Sequence, residues 1–487
     1  MNKELRRVSI VVLIMFLALF GSSTVIQVFQ QPNLKKDSRN VREFYASFQT
    51  QRGAILVDGT PIAQSVPVKD AYKYQRLYAD GPMYSAVTGY FTLNQGSTGI
   101  EGAENQELSG TGSDQFFDQV NAIITGKEPE GASVSLTIDP KVQKAAWDAL
   151  GNYTGAVVAL DPKTGAILAM VSKPAFDPNT LAGHDSAKVI ATYKKLLADK
   201  GDPLINRAIG GKLDPPGSTF KLVVASAALA NGYTPDSAFP NPPRLKLTGT
   251  DTYITNSEGG SCGGGATATI KVALQYSCNI PFAQLGGDLG YDKVAAQAKA
   301  FGFGDDDLNI PMHVTPSVYP PTHGDPARQE LSSFGQGDDR ASPLQMAMIS
   351  AAIANGGELM TPNLVKAITN PDLTTKQEFA PQRYSQAVSS DIAATMTQLM
   401  VNNVDNGAAS NARISGVQVA GKTGTAQNGA NNQLPYTLWF TGFAPADDPQ
   451  VAVAVVVQNG GGIGQAGFGN TLAAPIAKKV IEAVLSR

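Results

Sequence analysis

The feature that most constrains this chain is an apolar run from Val8 to Phe29, interrupted mainly by Gly21, Ser22, Ser23, Thr24 and Gln27. As a helix, about 22 residues at 1.5 Å each reach across the hydrocarbon core of a bilayer. Lys3, Arg6 and Arg7 precede the run, and a basic flank of this kind stays on the cytoplasmic side. The expected topology is a cytoplasmic tail over 1–7, a transmembrane signal-anchor over 8–29, and an extracytoplasmic remainder tied to the cell membrane by a single pass. The competing reading is a cleaved signal peptide, because the purest stretch, Val8 to Phe20, has the length of an h-region. No Ala-x-Ala cleavage site follows it, so the uncleaved anchor is favoured. No cysteine lies near the segment to carry a lipid. Both surviving readings export the bulk of the chain.

What is exported has a restricted chemistry. The cysteines are Cys262 and Cys278, and the histidines are His184, His313 and His323. A metal site needs three or four clustered ligands, so no metal site is expected. Catalysis must then run on hydroxyls, lysines and carboxylates. A formal net charge of −3 gives no sign of a nucleic-acid partner. With 487 residues, 43% hydrophobic and 16% charged, the chain has room for two or three globular domains.

Composition and turn signals divide it. Residues 30–135 are mixed and polar and read as a small, extended pedestal. Within them Gln51 to Gly59 is a strand entering an Asp58-Gly59 turn, and the glycine-, serine- and threonine-rich stretch from Gly96 to Gly112 reads as a loop. A second domain spans 136–487. Asp139-Pro140 is a helix start, with Asp as N-cap and Pro at the first position, and Lys141 to Leu150 continue it. Two apolar runs between Gly155 and Met170 flank Asp161-Pro162-Lys163-Thr164-Gly165 and predict a β-hairpin. Ser218 to Ala230 is apolar on nearly every face, as a buried central helix is, and Asn231-Gly232 closes it. Val451 to Val457 suits a buried strand and Leu472 to Leu485 a helix. Helices and strands without regular βαβ alternation predict an α+β class.

Three short patterns carry chemistry. Ser218 and Lys221 lie three apart on one helix face, with Cβ atoms about 5–6 Å apart. A lysine whose own proton is lost through burial or a nearby cation can take the serine proton, and the first helical turn offers free N–H groups to a developing oxyanion. The pattern alone is weak: about two chance S-x-x-K matches are expected in a chain of this length, each a capping serine beside a solvated lysine. Lys221, however, sits in a helix with almost no other polar residue, and a buried lysine is costly without a role. Ser277-Cys278-Asn279 precedes Ile280-Pro281. The proline should end the preceding helix and leave Ser277 and Asn279 on a corner, although such residues also simply populate turns. Lys422-Thr423-Gly424-Thr425 is matched by a second triplet, Lys163-Thr164-Gly165, so the triplet by itself decides nothing. The one at 163 reads as a turn.

The order of the patterns resembles the three-motif set of penicillin-binding proteins and serine β-lactamases: S-x-x-K at 218, S-x-N at 277, K-T-G at 422. Asn206-Arg207-Ala208-Ile209, Gly335-Gln336-Gly337, Ser342-Pro343-Leu344-Gln345 and Trp439 to Pro445 are also similar to the family, as are Arg52-Gly53 and Gly99-Ile100-Glu101-Gly102 in the pedestal. Together they cover about residues 50–485. The resemblance implies a penicillin-binding-protein/β-lactamase-like transpeptidase domain, an antiparallel sheet with flanking helices and an all-α region, preceded by a transmembrane helix and a pedestal. It is most like class B, of the actinobacterial penicillin-binding protein A type linked to division and cell shape. The roughly 100 residues before Leu136 are too few for a glycosyltransferase domain. Thr437-Leu438 departs from the His-Ala of many relatives.

The resemblance implies roles as well. Ser218 would attack the penultimate D-Ala carbonyl of a D-Ala-D-Ala stem peptide, with Lys221 as base. Ser277 would relay a proton to the leaving D-Ala, with Lys422 keeping that region positive. Asn279 would bind the substrate amide, and Thr423, Gly424 and Thr425 the terminal carboxylate side. An amine of a neighbouring stem would then take the acyl group, β-lactams would acylate Ser218, and no metal or cofactor is implied. Expected partners are peptidoglycan stem peptides, β-lactams, the membrane, and division-complex proteins or a second copy held through residues 30–135. The alternatives are a D,D-carboxypeptidase or β-lactamase, in which water ends the acyl-enzyme, and a non-catalytic β-lactam sensor or division scaffold. A class A β-lactamase would need a priming glutamate, for which there is no context; a sensor would need further spans or an internal domain. Finally, export permits a disulfide. Joining Cys262 to Cys278 would close a loop of about 15 residues, worth on the order of 3 kcal/mol, and tie Gly259 to Gly265 to the site's rim. The alternative is two free thiols.

Overall fold

The computed structural model describes residues 2–30, 48–110, 130–257, 259–429 and 432–487. Helix Asn2–Thr24 continues as a π turn, Val25–Phe29. Leu13, Phe16, Leu17 and Phe20 on it are between 57% and 70% exposed, an apolar surface that water does not tolerate and a bilayer does. It is the one helix among the described residues long and apolar enough to cross a membrane.

The N-terminal sheet has six strands in the order Thr375–Glu378, Val365–Thr369, Ser133–Leu136, Ile55–Val57, Thr60–Pro67 and Tyr74–Tyr78. Asp58 and Gly59, with φ of 47° and 73°, make the two-residue turn between Ile55–Val57 and Thr60–Pro67, as an Asp-Gly pair does in a tight hairpin. This sheet takes strands from both sides of residue 135. Val365–Thr369 lies far along the chain yet pairs with Ser133–Leu136, and Thr375–Glu378 pairs with it in turn.

The stretch expected as a loop, Gly96 to Gly112, is instead ordered as far as it is described. It carries Gly96–Ser97 as a strand and two short helices, Gly99–Ala103 and Asn105–Ser109; Thr111 and Gly112 lie outside the described residues. Its glycines serve close approach rather than looseness. A Cβ on Gly99 would lie 2.4 Å from the Gly89 nitrogen, and both residues have positive φ. Glu101 then fixes the segment. It is fully buried and receives Arg52 Nε and Arg76 Nε, each at 2.6 Å. Burial raises its pKa, but the two guanidiniums outweigh that and hold the carboxyl below its usual range.

The core sheet is antiparallel, in the order Ala420–Asn428, Leu434–Ala444, Val451–Val457, Gly155–Leu160, Ile167–Lys173. Alternation along Val451–Val457 explains why the whole run is apolar. Val451, Val453, Val455 and Val457 pack with helices Pro140–Leu150 and Gly469–Leu485. Ala452, Ala454 and Val456 face helix Pro343–Ala354. Asp139 caps the first of these helices by accepting from the N–H groups of Lys141 and Val142. The Lys163-Thr164-Gly165 triplet lies in the hairpin turn, where Lys163 Nζ pairs with exposed Asp448 at 2.6 Å; it is a surface turn.

The all-α region surrounds the helix Lys221–Ala230, whose residues from Lys221 to Ala228 are all buried. Helices Ile280–Leu289, Tyr291–Ala300 and Ser390–Asn406 pack around it. Ser218 does not begin an α-helix, as the apolar run predicts. A 3₁₀ turn, Gly217–Phe220, leads into it. Its tighter coil brings positions i and i+3 into line, which aligns Ser218 with Lys221. Pro281 also differs from expectation. It stands in the first turn of the following helix rather than ending the preceding one, a place where its missing N–H is no loss.

Candidate active site

The site lies where the edge strand Ala420–Asn428 meets the helical region. Gly217, with φ of 54°, lets the serine turn lie flat on that strand: a Cβ there would come within 3.2 Å of the Ala426 nitrogen. Behind it, Gly217 N–H donates to Gly335 O at 2.9 Å. A Cβ on Gly335 would meet Gly217 O at 1.9 Å, so the Gly335-Gln336-Gly337 segment needs its first glycine for contact.

Lys221 is fully buried and makes three contacts: Ser218 Oγ at 2.9 Å, Ser277 O at 2.7 Å and Asn279 Oδ1 at 2.8 Å. Burial first, then the neighbouring Lys422, holds its amine well below the usual lysine range. Two of the three partners are oxygens that only accept. A neutral amine has two N–H groups, and these satisfy Ser277 O and Asn279 Oδ1. Its lone pair is left for the Ser218 hydroxyl.

Ser277 adopts φ of 60°. That left-handed corner turns its carbonyl to Lys221 and its hydroxyl to Lys422, whose Nζ lies 2.6 Å from Ser277 Oγ and 2.9 Å from Thr423 O. Lys422 is also fully buried, and burial lowers its pKa to about 7. Ser218, Lys221, Asn279, Ser277 and Lys422 thus form one continuous hydrogen-bonded chain. Thr425 lines the groove outside it and accepts from Gly469 N–H at 3.2 Å. Gly424 packs under the serine turn, where a Cβ would lie 2.8 Å from Pro216 O. Thr423 is buried, with its hydroxyl donated to Ala408 O at 3.2 Å. It is not among the residues lining the groove.

Two residues that sequence reasoning missed hold the corner. Asn279 precedes helix Ile280–Leu289 but spends its side chain on Lys221, so it cannot cap that helix. Asn256 does so from outside: its Oδ1 accepts from Asn279 N–H at 2.9 Å and Ile280 N–H at 3.1 Å. Asn241 in turn donates to Cys262 O and Gly265 O at 2.7 and 2.9 Å. Cys262 and Cys278 are joined by a disulfide with Cα atoms 5.7 Å apart, linking this same segment to the middle of the Ser277-Cys278-Asn279 corner. Nothing local marks either asparagine in the sequence.

The groove that opens on Ser218 has a volume of about 1190 Å³ and is also bounded by Asn279, Tyr253, Thr425, Gln427 and Phe468. Among the described residues no cluster of three His, Cys, Asp or Glu side chains is arranged to hold a metal ion.

Residues 155–482 match the penicillin-binding protein transpeptidase domain, and residues 52–134 the penicillin-binding protein A dimerisation domain. The chain is 41% identical to the peptidoglycan D,D-transpeptidase PbpA of Mycolicibacterium smegmatis, over 100% of this chain and 99% of that one. It is 39% identical to the protein of the same name from Mycobacterium tuberculosis, with the same coverage. The ceftriaxone acyl-enzyme complex of M. tuberculosis penicillin-binding protein A superposes with a TM-score of 0.87 at 39% identity, covering 91% of this chain and 100% of that one. Its penicillin G acyl-enzyme complex superposes with a TM-score of 0.85, covering 90% and 100%. With one transpeptidase domain, a preceding dimerisation-type domain and an apolar N-terminal helix, this membrane-anchored chain belongs to the class B penicillin-binding proteins.

Proposed function

We propose that this chain is a peptidoglycan D,D-transpeptidase that cross-links stem peptides through an acyl-enzyme on Ser218. The observation that carries the assignment is Lys221: buried, held well below its usual pKa, and 2.9 Å from Ser218 Oγ with its other two contacts taken by pure acceptors. Ser218 Oγ attacks the penultimate D-Ala carbonyl of a D-Ala-D-Ala stem as its proton passes to Lys221 Nζ. The developing oxyanion is met by the backbone N–H groups of Ser218 and Thr425. When the C–N bond breaks, Ser277 gives its proton to the leaving D-Ala nitrogen and is resupplied from Lys422, which at about 7 is poised to hold or release one near neutrality. An amine from a second stem then attacks the ester. The new amide forms, and the Ser218 hydroxyl is restored.

In the groove, Asn279 hydrogen-bonds the donor's amide. Thr425, which lines the groove, takes the terminal carboxylate, and Thr423 joins it only by turning its hydroxyl away from Ala408 O. β-Lactams present a carbonyl and a carboxylate to the same groups and acylate the same oxygen. The anchor helix, with Lys3, Arg6 and Arg7 on the cytoplasmic side, places the groove outside the membrane, where peptidoglycan lies. Residues 52–134, which match the penicillin-binding protein A dimerisation domain, serve self-association or docking to division-complex proteins.

Two arms test this. Wild type and Ser218→Ala are exposed to fluorescent penicillin; labelling of Ser218→Ala would overturn the nucleophile. Wild type is then offered a D-Ala-D-Ala peptide with an amine acceptor. Exchange supports cross-linking, and release of free acid without exchange would make the chain a carboxypeptidase.

A further inference from the structure

Thr437 departs from the family pattern, and the sequence offers no account of it. In the structure it is buried opposite Ala426 on the edge strand, next to the Thr425–Leu438 pair. Its hydroxyl donates to Asp214 Oδ1 at 3.1 Å and accepts from Asn428 Nδ2 at 2.9 Å. The other carboxylate oxygen, Asp214 Oδ2, accepts from Gln458 Nε2 at 2.6 Å, and Gln458 Oε1 accepts from Arg207 Nε at 3.1 Å. Arg207 also donates to Gly201 O and Asp202 O, at 2.5 and 3.1 Å. Asp214, Thr437, Asn428, Gln458 and Arg207 all line the groove that opens on Ser218.

Asp214 stands four residues before Ser218, at the start of a segment held at each step. Ala341 N–H donates to Asp214 O at 2.9 Å, Trp439 Nε1 to Pro215 O at 2.9 Å, Thr219 Oγ1 to Pro216 O at 2.6 Å, and Gly217 N–H to Gly335 O at 2.9 Å. The backbone ties fix the segment to the protein interior. The side-chain ties of Asp214 are different, because they reach two residues of the substrate-facing wall, Thr437 and Gln458, and through Thr437 a third, Asn428. A carboxylate suits this place: it accepts from both donors at once, and burial next to two neutral donors leaves it no freedom to turn.

We propose that Asp214 is a positioning residue for acylation, clamping the Ser218 turn to the substrate-binding edge strand through Thr437 and Asn428 and to the Arg207 loop through Gln458. The clamp sets the separation between the Ser218 oxygen and the strand that carries Thr425. A substrate held by that strand meets the nucleophile at reacting distance only while the separation is kept. This rests on the assignment of Ser218 as the acylated residue.

The test uses the full-length protein in detergent and the time course of acylation by a fluorescent penicillin, resolved into a maximal rate and a half-saturating concentration. Thr437→Val removes the hydroxyl and keeps the shape. Asp214→Asn leaves one of the two donors facing an N–H. Each is expected to lower the maximal rate by about tenfold or more, as displacement of a reacting group does. The half-saturating concentration should stay within twofold of wild type, and Thr437→Ser should restore the rate. A maximal rate within twofold of wild type in Thr437→Val overturns the proposal. So does a loss confined to the half-saturating concentration, or failure of Thr437→Ser to rescue. If Asp214→Asn does not fold, the two Thr437 variants decide. Absence of labelling in wild type would instead refute the assignment of Ser218, which separates the two failures.

Discussion

Asn256 offers the sharpest test of how the site is held. Its Oδ1 is the acceptor for two backbone donors at the start of helix Ile280–Leu289, the N–H groups of Asn279 and Ile280. Asn256 is 3% exposed and Ile280 fully buried, so an Asn256→Ala variant leaves at least the Ile280 N–H without its acceptor. An orphaned buried donor costs about 1–3 kcal/mol, and capping asparagines cost about 0.5–2 kcal/mol on replacement by alanine. With one donor partly screened near the groove, the expected loss is about 2–4 kcal/mol. The damage should extend to chemistry. Asn279 is both the residue whose N–H is orphaned and the residue whose Oδ1 holds Lys221 at 2.8 Å. Urea denaturation with and without the substitution gives the stability difference, and the time course of penicillin acylation gives the rate. We expect a rate loss of about tenfold or more, with Ser218 still the labelled residue. A stability change below about 0.5 kcal/mol, the range of ordinary surface substitutions, together with an unchanged rate, would falsify the view that Asn256 caps this corner.

Other consequences follow from burial and charge. Lys422 is held near 7, below its unfolded value, so from about pH 7 to 10 the unfolded chain binds the proton that the folded one does not. Wild-type stability should therefore rise with pH across that window, and less steeply in Lys422→Met, as urea midpoints at pH 7 and 9.5 would register; an equal slope in both refutes the depressed value. Glu101→Gln leaves Arg52 and Arg76 buried without a counter-charge and should destabilise by about 3–5 kcal/mol; a melting temperature unchanged in scanning calorimetry would contradict this. Reducing the Cys262–Cys278 bond, which spans a sequence separation of 16, should remove about 3 kcal/mol on the chain-entropy account and slow acylation through the Ser277 corner. Denaturation and labelling with and without a thiol reductant check both.

Several elements were legible because their signals are local. The apolar run of the anchor, the capped helix after Asp139, the hairpin around residue 163 and the two-sided apolar strand at 451 each carry their own periodicity or turn chemistry within one short window. The loop predicted over Gly96 to Gly112 failed for the converse reason. Its glycines looked like flexibility, whereas Gly99 admits a close backbone contact with Gly89, and the ion pairs that order the segment come from Arg52 and Arg76, far away in sequence. The strand Val365–Thr369 was likewise invisible, because its partner is the distant Ser133–Leu136.

The same division runs through the site. Sequence alone determined which residue types stand in which order: a serine and lysine three apart, a serine–asparagine corner and a lysine–threonine–glycine strand, on a chain that opens with an apolar run long enough to span a bilayer. Tertiary structure alone decided what state those groups are in. Lys221 is held well below the usual lysine range because the fold removes water from it and brings Lys422 near. Ser277 serves both lysines because its backbone turns left-handed at a disulfide-tied corner. Asn256, Asn241 and Asp214 matter through hydrogen bonds to segments distant in the chain. Desolvation and charge proximity are properties of three-dimensional packing, and no spacing along the chain encodes them.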